Sequence, residues 1–130
     1  MAIPGLTALP HERVVYLTTV GRKTGKLRTI EIWFVVDQER IYLVAEHGLK
    51  AQWVRNIQAN PEVTIQIARR RFLARGRILD DARDRQEWQA VADLARRKYG
   101  WGEGLPVAFD ARQEEESENG WLSGSTRGEN

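Results

Sequence analysis

Cysteine is absent from this chain, so neither disulfides nor thiolate metal sites can form, and the cytoplasm is the simplest compartment for it. Histidine is scarce: His11 and His47 stand alone, neither at metal-ligand spacing with acids, and no nucleophile triad is visible. No stretch approaches the roughly 18 uninterrupted apolar residues of a membrane-spanning helix. The first ten residues lack a basic run and are broken by Pro4 and Pro10, so they read as neither signal peptide nor membrane anchor. Net charge is only +2, too little by itself to indicate a nucleic-acid partner. No internal repeat is present.

What is there suits one domain. A chain of 130 residues is long enough for one sizeable core and too short for two. Its 42% hydrophobic and 29% charged composition is that of a globular protein and argues against disorder throughout. Five tryptophans point to a compact core or an aromatic-lined pocket. Charge is unevenly spread. Arg22, Lys23, Lys26 and Arg28 fall together with no acid between Val20 and Glu31, and Arg69, Arg70, Arg71, Arg75 and Arg77 form a second basic run. Acids gather late, at Asp110, Glu114, Glu115, Glu116 and Glu118. A local positive field on a nearly neutral chain suits a small anionic ligand better than a long polyanion. The second run lacks the interleaved aromatics that stack nucleic-acid bases and reads as a solvated hairpin.

Alternation dominates the first two-thirds. Val14 to Val20 is β-branched and aromatic, as strands prefer. Gly21 and Gly25 then bracket a hairpin loop. Leu27 to Val36 resumes as a strand with Ile30, Ile32, Phe34 and Val36 on one face, and Arg40–Ala45 returns after a turn at Asp37-Gln38. Leu49, Trp53, Val54 and Ile57 follow helical spacing up to a stop at Asn60-Pro61. Val63, Ile65 and Ile67 mark a half-buried strand, paired with Phe72–Leu79 across an Arg69-Arg70-Arg71 turn. Asp80-Asp81 offers N-cap chemistry to a second helix whose stripe is Trp88, Val91, Ala92, Ala95 and Tyr99, with Gly100 as its C′ residue. Leu105–Phe109 is a sixth strand. Residues 1–110 are therefore read as a single domain. Residues 111–130 read as an acidic, polar C-terminal tail with only Trp121 and Leu122 to bury. The order β-β-β-α-β-β-α-β predicts an α+β protein, a six-stranded, mostly antiparallel closed or nearly closed barrel with two flanking helices.

Two segments could carry chemistry. In the first, from Thr18 to Arg28, glycines let the backbone turn with its N–H groups outward among cations and hydroxyls. Arg grips phosphate or carboxylate bidentately and Lys adds a point charge. The segment reads either as an anion site or as a solvated basic hairpin tip. It is not a Walker loop, because a strand follows instead of a helix. In the second, from Ala45 to Asn56, His47 and Lys50 straddle a helix start, so His47 reads as an anion contact or as a surface turn residue. Asn56 shares its helix with the apolar stripe and is expected to be a buried hydrogen-bonding residue that fixes the loop or a ligand.

Together these segments resemble a known family. The run Leu17-Thr18-Thr19-Val20-Gly21-Arg22-Lys23-Thr24-Gly25 followed by Arg28, then Trp53-x-x-Asn56-x-x-Ala59-Asn60-Pro61-x-Val63, is similar to the deazaflavin-dependent nitroreductases. These share the split β-barrel of FMN-binding flavin reductases and pyridoxamine phosphate oxidases. The resemblance implies coenzyme F420, a 5-deazaflavin with a phosphodiester-linked, glutamate-rich tail, with FMN or FAD as the alternative cofactor. It implies hydride transfer between the reduced deazaflavin and a quinone, enone or nitro acceptor, the chemistry residing in the cofactor. Carried over by position, Arg22, Lys23, Thr24, Gly25 and Arg28 hold the phosphate and tail carboxylates. Ile32, Trp33 and the turn at Glu46–His47, with His47 or Lys50, cradle the ring, and Trp53 and Asn56 support it. Where the family commonly has proline, this chain has Glu31. A homodimer is implied, and integral membrane association is not. A non-catalytic barrel that carries a cofactor or lipid is the remaining alternative. Tyr16, Tyr42 and Tyr99 are all candidate proton donors.

Overall fold

The computed structural model describes residues 12–115. Both termini, with His11, Trp121, Leu122 and most of the expected tail, lie outside these residues. The elements in chain order are β1 (Val14–Val20), β2 (Leu27–Asp37), β3 (Arg40–Ala45), α1 (Gln52–Ala59), β4 (Glu62–Ile67), β5 (Arg70–Ile78), α2 (Arg85–Tyr99) and β6 (Leu105–Glu114). The strands close into a barrel in the order β1-β2-β3-β6-β5-β4, every pairing antiparallel. The expected architecture is therefore observed.

Alternation decides which residues fill the barrel. Val15 and Leu17 of β1, Phe34 of β2, Ile41 and Leu43 of β3, Ile65 and Ile67 of β4, Phe72 of β5 and Phe109 of β6 point inward and are almost wholly buried. Helix α1 adds Val54 and Ile57 to this interior. A second cluster forms outside the barrel, where α2 lays Val91 and Ala95 over Val35, Tyr42 and Ala108, with Trp88 and Tyr99 at its margin. The expected α2 stripe is thus the buried one. Among the described residues no tryptophan is fully buried: the large aromatics inside the barrel are Phe34, Phe72 and Phe109, Trp53 packs against that cluster, and Trp33 remains 43% exposed on the outside.

Several boundaries differ from the sequence expectation. The β2–β3 turn is centred on Gln38 and Glu39, both at positive φ (52° and 63°), as a two-residue hairpin with right-handed twist requires. The β4–β5 turn is Ala68-Arg69, with Ala68 at φ 54°, so Arg70 and Arg71 belong to β5. They pair across the strands with Ile67 and Gln66. Leu49 falls in a short 3₁₀ turn, Gly48–Lys50, and is exposed, because α1 begins only at Gln52. The residue before α2 is Asp84. Asp80 instead caps the preceding turn, its Oδ2 accepting from the N–H groups of Ala82 (3.1 Å) and Arg83 (2.8 Å). Strand β6 continues past Phe109 to Glu114, across a bulge opposite Leu73 and Ala74, into the segment expected to be tail.

Candidate functional site

The connection between β1 and β2 is built by its two glycines. Gly21 N–H donates to the Lys26 carbonyl at 2.7 Å and Gly25 N–H to the Gly21 carbonyl at 2.8 Å, while Thr24 Oγ1 accepts from Lys26 N–H at 3.1 Å. Gly25 takes φ 76°, where a side chain would be strained. At Gly21 a Cβ would stand 3.0 Å from both the Lys26 carbonyl oxygen and Thr24 Oγ1, so the loop closes tightly on itself.

Helix α1 pins this loop from below. Asn56 is 5% exposed, and its Oδ1 accepts from the backbone N–H of Arg22 (3.1 Å) and from Arg22 Nη1 (3.0 Å). Its Nδ2 donates to the buried hydroxyl of Thr19 at 3.0 Å. The α1 stripe of Val54 and Ile57 anchors the helix in the barrel, and one turn position turns Asn56 toward the end of β1. Asn56 thereby fixes the loop, as its place on the apolar helix suggested.

Above the loop lies an open groove of about 1290 Å³. Arg22, Lys23, Thr24 and Arg28 line it, with Trp53 and Asn56 of α1. The groove continues over the outer face of β1, β4 and β5, past Thr18, Thr64 and Tyr16, to Arg71. Thr18 and Thr29 hydroxyls bond each other at 2.8 Å on this wall. Among the described residues, no aspartate or glutamate lines it. The remaining site expectations fall elsewhere. Gly25 shapes the turn, and neither it nor Lys26 lines the groove. Ile32 packs against the barrel interior, Trp33 stacks on Tyr99 (centroids 4.3 Å apart, planes 4° apart), and His47 and Lys50 are exposed around the 3₁₀ turn. Thr64, Gln66 and Arg71 line the groove without having been anticipated. Outward positions of three strands become one wall only when the barrel closes.

The two basic runs have opposite fates. In the second, Arg70 pairs with Glu114, Arg71 with Glu115, Arg75 with Glu62, and Arg77 with Asp84 and Glu87. Among the described residues, Arg22, Lys23, Lys26 and Arg28 meet no carboxylate. Arg70, Arg71, Arg75 and Arg77 of the second run thus meet acids of their own protein, whereas the first run meets none among the described residues.

The three tyrosines also separate. Only Tyr16 lines the groove. Tyr42 donates to Glu87 under α2, and burial together with that carboxylate pushes its phenol up to about 12. Tyr99 bonds the backbone of Phe34 and Arg13, and burial raises its phenol too. Among the described residues no cluster of His, Asp and Glu could hold a metal ion, and no helix is long and apolar enough to cross a membrane.

A closed antiparallel barrel of this strand order, with one helix entering it and one lying outside, is the split barrel of FMN-binding and pyridoxamine phosphate oxidase-like proteins. Solved structures share it. A candidate pyridoxamine 5′-phosphate oxidase from Listeria innocua aligns at TM-score 0.67 with 15% identity, over 85% of this chain and 92% of that one. A FAD-binding protein from Mesorhizobium loti aligns at TM-score 0.65 with 17% identity, over 88% and 92%. An F420-H2 dependent reductase aligns at TM-score 0.58 with 25% identity, over 76% and 93%. A sequence model of the F420H(2)-dependent quinone reductases matches residues 5–108, and the chain belongs to that family.

Proposed function

We propose that this protein is an F420-dependent oxidoreductase that binds the deazaflavin in the groove above α1 and reduces a small organic acceptor, a quinone, enone or nitro compound. The observation that carries this reading is electrostatic. Among the described residues the groove is lined by Arg22, Lys23 and Arg28, which meet no carboxylate, by Arg71, which pairs with Glu115, and by no acid, although the chain has nearly as many acids as bases. Such a lining favours a guest with several negative charges. A phosphodiester and glutamate tail fit the cations and the Thr24 hydroxyl, and the groove's size fits a three-ring group with its side chain. Family membership and the likeness to an F420-H2 dependent reductase support the same reading.

When bound, the reduced deazaflavin supplies the hydride. The chain's own residues do the rest. Arg22 is held in place by Asn56 before any ligand arrives, so its guanidinium is pre-oriented for an anion. Lys23 and Arg28 add charge from either side of the turn. Trp53, with Ile30 and Leu27, offers apolar surface where a flat ring can exclude water. Tyr16, the one tyrosine on the groove wall, is the group we assign to protonate the reduced acceptor. Leu73 is also exposed on the outer barrel face, and we infer that a second copy of the chain packs there, beside the groove, in a homodimer.

The test is a titration of the purified protein with oxidised F420, FMN and haem, followed by absorbance and tryptophan fluorescence. Reduced F420 and menadione are then added. Tight F420 binding with menadione-dependent oxidation is the expected result. Preference for FMN or haem would sink the deazaflavin reading, and F420 binding without turnover would sink the enzymatic one.

A further inference from the structure

The groove carries one cation far from the glycine loop. Arg71 ends a cross-strand row in which Tyr16 of β1 faces Gln66 of β4 and Gln66 faces Arg71 of β5, all three lining the groove. Tyr16 lies four positions before Val20, the end of β1, so the row stands roughly 13 Å along the strand from the loop, at about 3.3 Å per residue. A guest reaching both must be elongated.

The partnership of Arg71 is loose. Its Nε lies 2.8 Å from Glu115 Oε1, yet this buried N–H makes no hydrogen bond. The neighbouring pair is different: Arg70 donates to both carboxylate oxygens of Glu114, at 2.9 Å each. A fork-to-fork pair of that kind is closed, whereas an ion pair whose N–H is misaimed gains Coulomb attraction without the directed bond. Glu115 is attached here through its backbone N–H to the Arg71 carbonyl at 2.8 Å, and both side chains remain about a third exposed (35% each). Solvent and solutes therefore reach the pair from the groove.

We propose that Arg71 is a second anion-binding position of the groove, taking a carboxylate at the far end of an elongated guest, and that Glu115 is a displaceable stand-in for that carboxylate. Exchange of one carboxylate for another leaves no buried charge unpaired, so displacement meets little electrostatic barrier. Because Glu115 is tethered beside Arg71, it competes at high effective concentration and lowers the apparent affinity for the guest. The proposal rests on the deazaflavin reading only for the identity of the guest. The carboxylate belongs either to the cofactor's tail or to a separate small acidic acceptor.

The test compares the full chain with Arg71→Gln, Arg71→Lys and Glu115→Gln. Three probes are used: oxidised F420, a deazaflavin lacking phosphate and glutamates, and citrate. Binding is read by fluorescence and by the NMR signal of the arginine Nε–Hε groups, and thermal melting checks that the variants fold. Weakening of F420 by about tenfold in Arg71→Gln, partial recovery in Arg71→Lys and tightening by about threefold in Glu115→Gln are expected, with the tail-less probe unaffected. That result assigns the carboxylate to the tail. Weakening of citrate with F420 unchanged assigns it to an acidic acceptor. If the unmodified chain binds no F420 but holds citrate through Arg71, the deazaflavin reading fails and the anion position stands. If Arg71→Gln binds both F420 and citrate as the unmodified chain does, the proposal is overturned.

Discussion

Asn56 Oδ1 accepts two hydrogen bonds from a single residue, Arg22, one from its backbone and one from its guanidinium, at 3.1 and 3.0 Å. One buried amide thus sets both the path of the loop and the aim of its first cation. Replacing Asn56 by Leu leaves the Thr19 hydroxyl and the Arg22 N–H without their partner, at a cost of about 1–3 kcal/mol in stability. Asn56→Asp keeps the two acceptor bonds to Arg22, and the Thr19 hydroxyl can donate to it instead. Urea unfolding should show Asn56→Leu clearly destabilised and Asn56→Asp close to the parent. The reverse order would remove Asn56 from its role as the pin.

Arg22 and Lys23 line the groove without a carboxylate partner among the described residues, so their charge contributes little to the folded state itself. The double replacement Arg22→Ala and Lys23→Ala is expected to weaken F420 binding by about 2–4 kcal/mol, with melting temperature almost unchanged. Affinity should also fall with added salt, less steeply in the double variant. Calorimetric titration at two salt concentrations measures both effects. Unchanged affinity would take the loop out of the site.

Tyr16→Phe keeps the ring and removes the hydroxyl from the groove wall. Turnover should fall by about ten- to a hundredfold while the dissociation constant for F420 stays the same. Single-turnover kinetics with menadione separates the two quantities. Equal loss in Tyr42→Phe would show that the readout reports folding, since Tyr42 lies under α2 and away from the groove.

Lys98 sits with its Nζ 3.7 Å from the centroid of Phe34 and donates to the Phe34 carbonyl. Burial, reinforced by the nearby charge of Arg13 and opposed by that of Glu12, pushes its amine down to about 8. The folded chain therefore releases this proton before the unfolded chain does. Stability should rise as pH climbs through 8 and level off near the ordinary lysine value of about 10.4. Acylation mapped by mass spectrometry should label Lys98 at lower pH than the chain's exposed lysines. Labelling that tracks the other lysines would contradict the depressed value.

Glu87 anchors α2 to the barrel, accepting from Tyr42, Arg40 and Arg77. Burial alone would raise its carboxyl, but the bonds from Tyr42 and Arg77 outweigh it and hold the carboxyl below its ordinary value. The stabilisation is present above that ordinary value and is lost as pH falls through the depressed one. Glu87→Gln should cost about 1–2 kcal/mol at neutral pH and flatten the acid limb of the stability profile. Equilibrium unfolding between pH 3 and 7 reads the difference, and parallel profiles would contradict it.

Strands, helices and their order could be read from the chain because each is a local pattern. Val63, Ile65 and Ile67 alternate, and Val91 and Ala95 recur one helical turn apart. Boundaries were less legible. Arg70 and Arg71 look like turn residues by composition, yet pairing with β4 and acids on β6 draws them into β5. Ile32 and Trp33 sit close to the loop in sequence, but barrel closure sends Ile32 to the interior and Trp33 to the opposite face against Tyr99.

By itself the sequence determined the glycine-hinged loop, the cations crowded on it and the asparagine on the apolar helix. Those depend on residue type and short spacing. Only the tertiary structure decided which arginines meet a carboxylate, because their partners lie far along the chain. Glu114 and Glu115 reach Arg70 and Arg71 only when β6 runs on beside β5, while among the described residues no acid is folded back onto Arg22, Lys23 or Arg28.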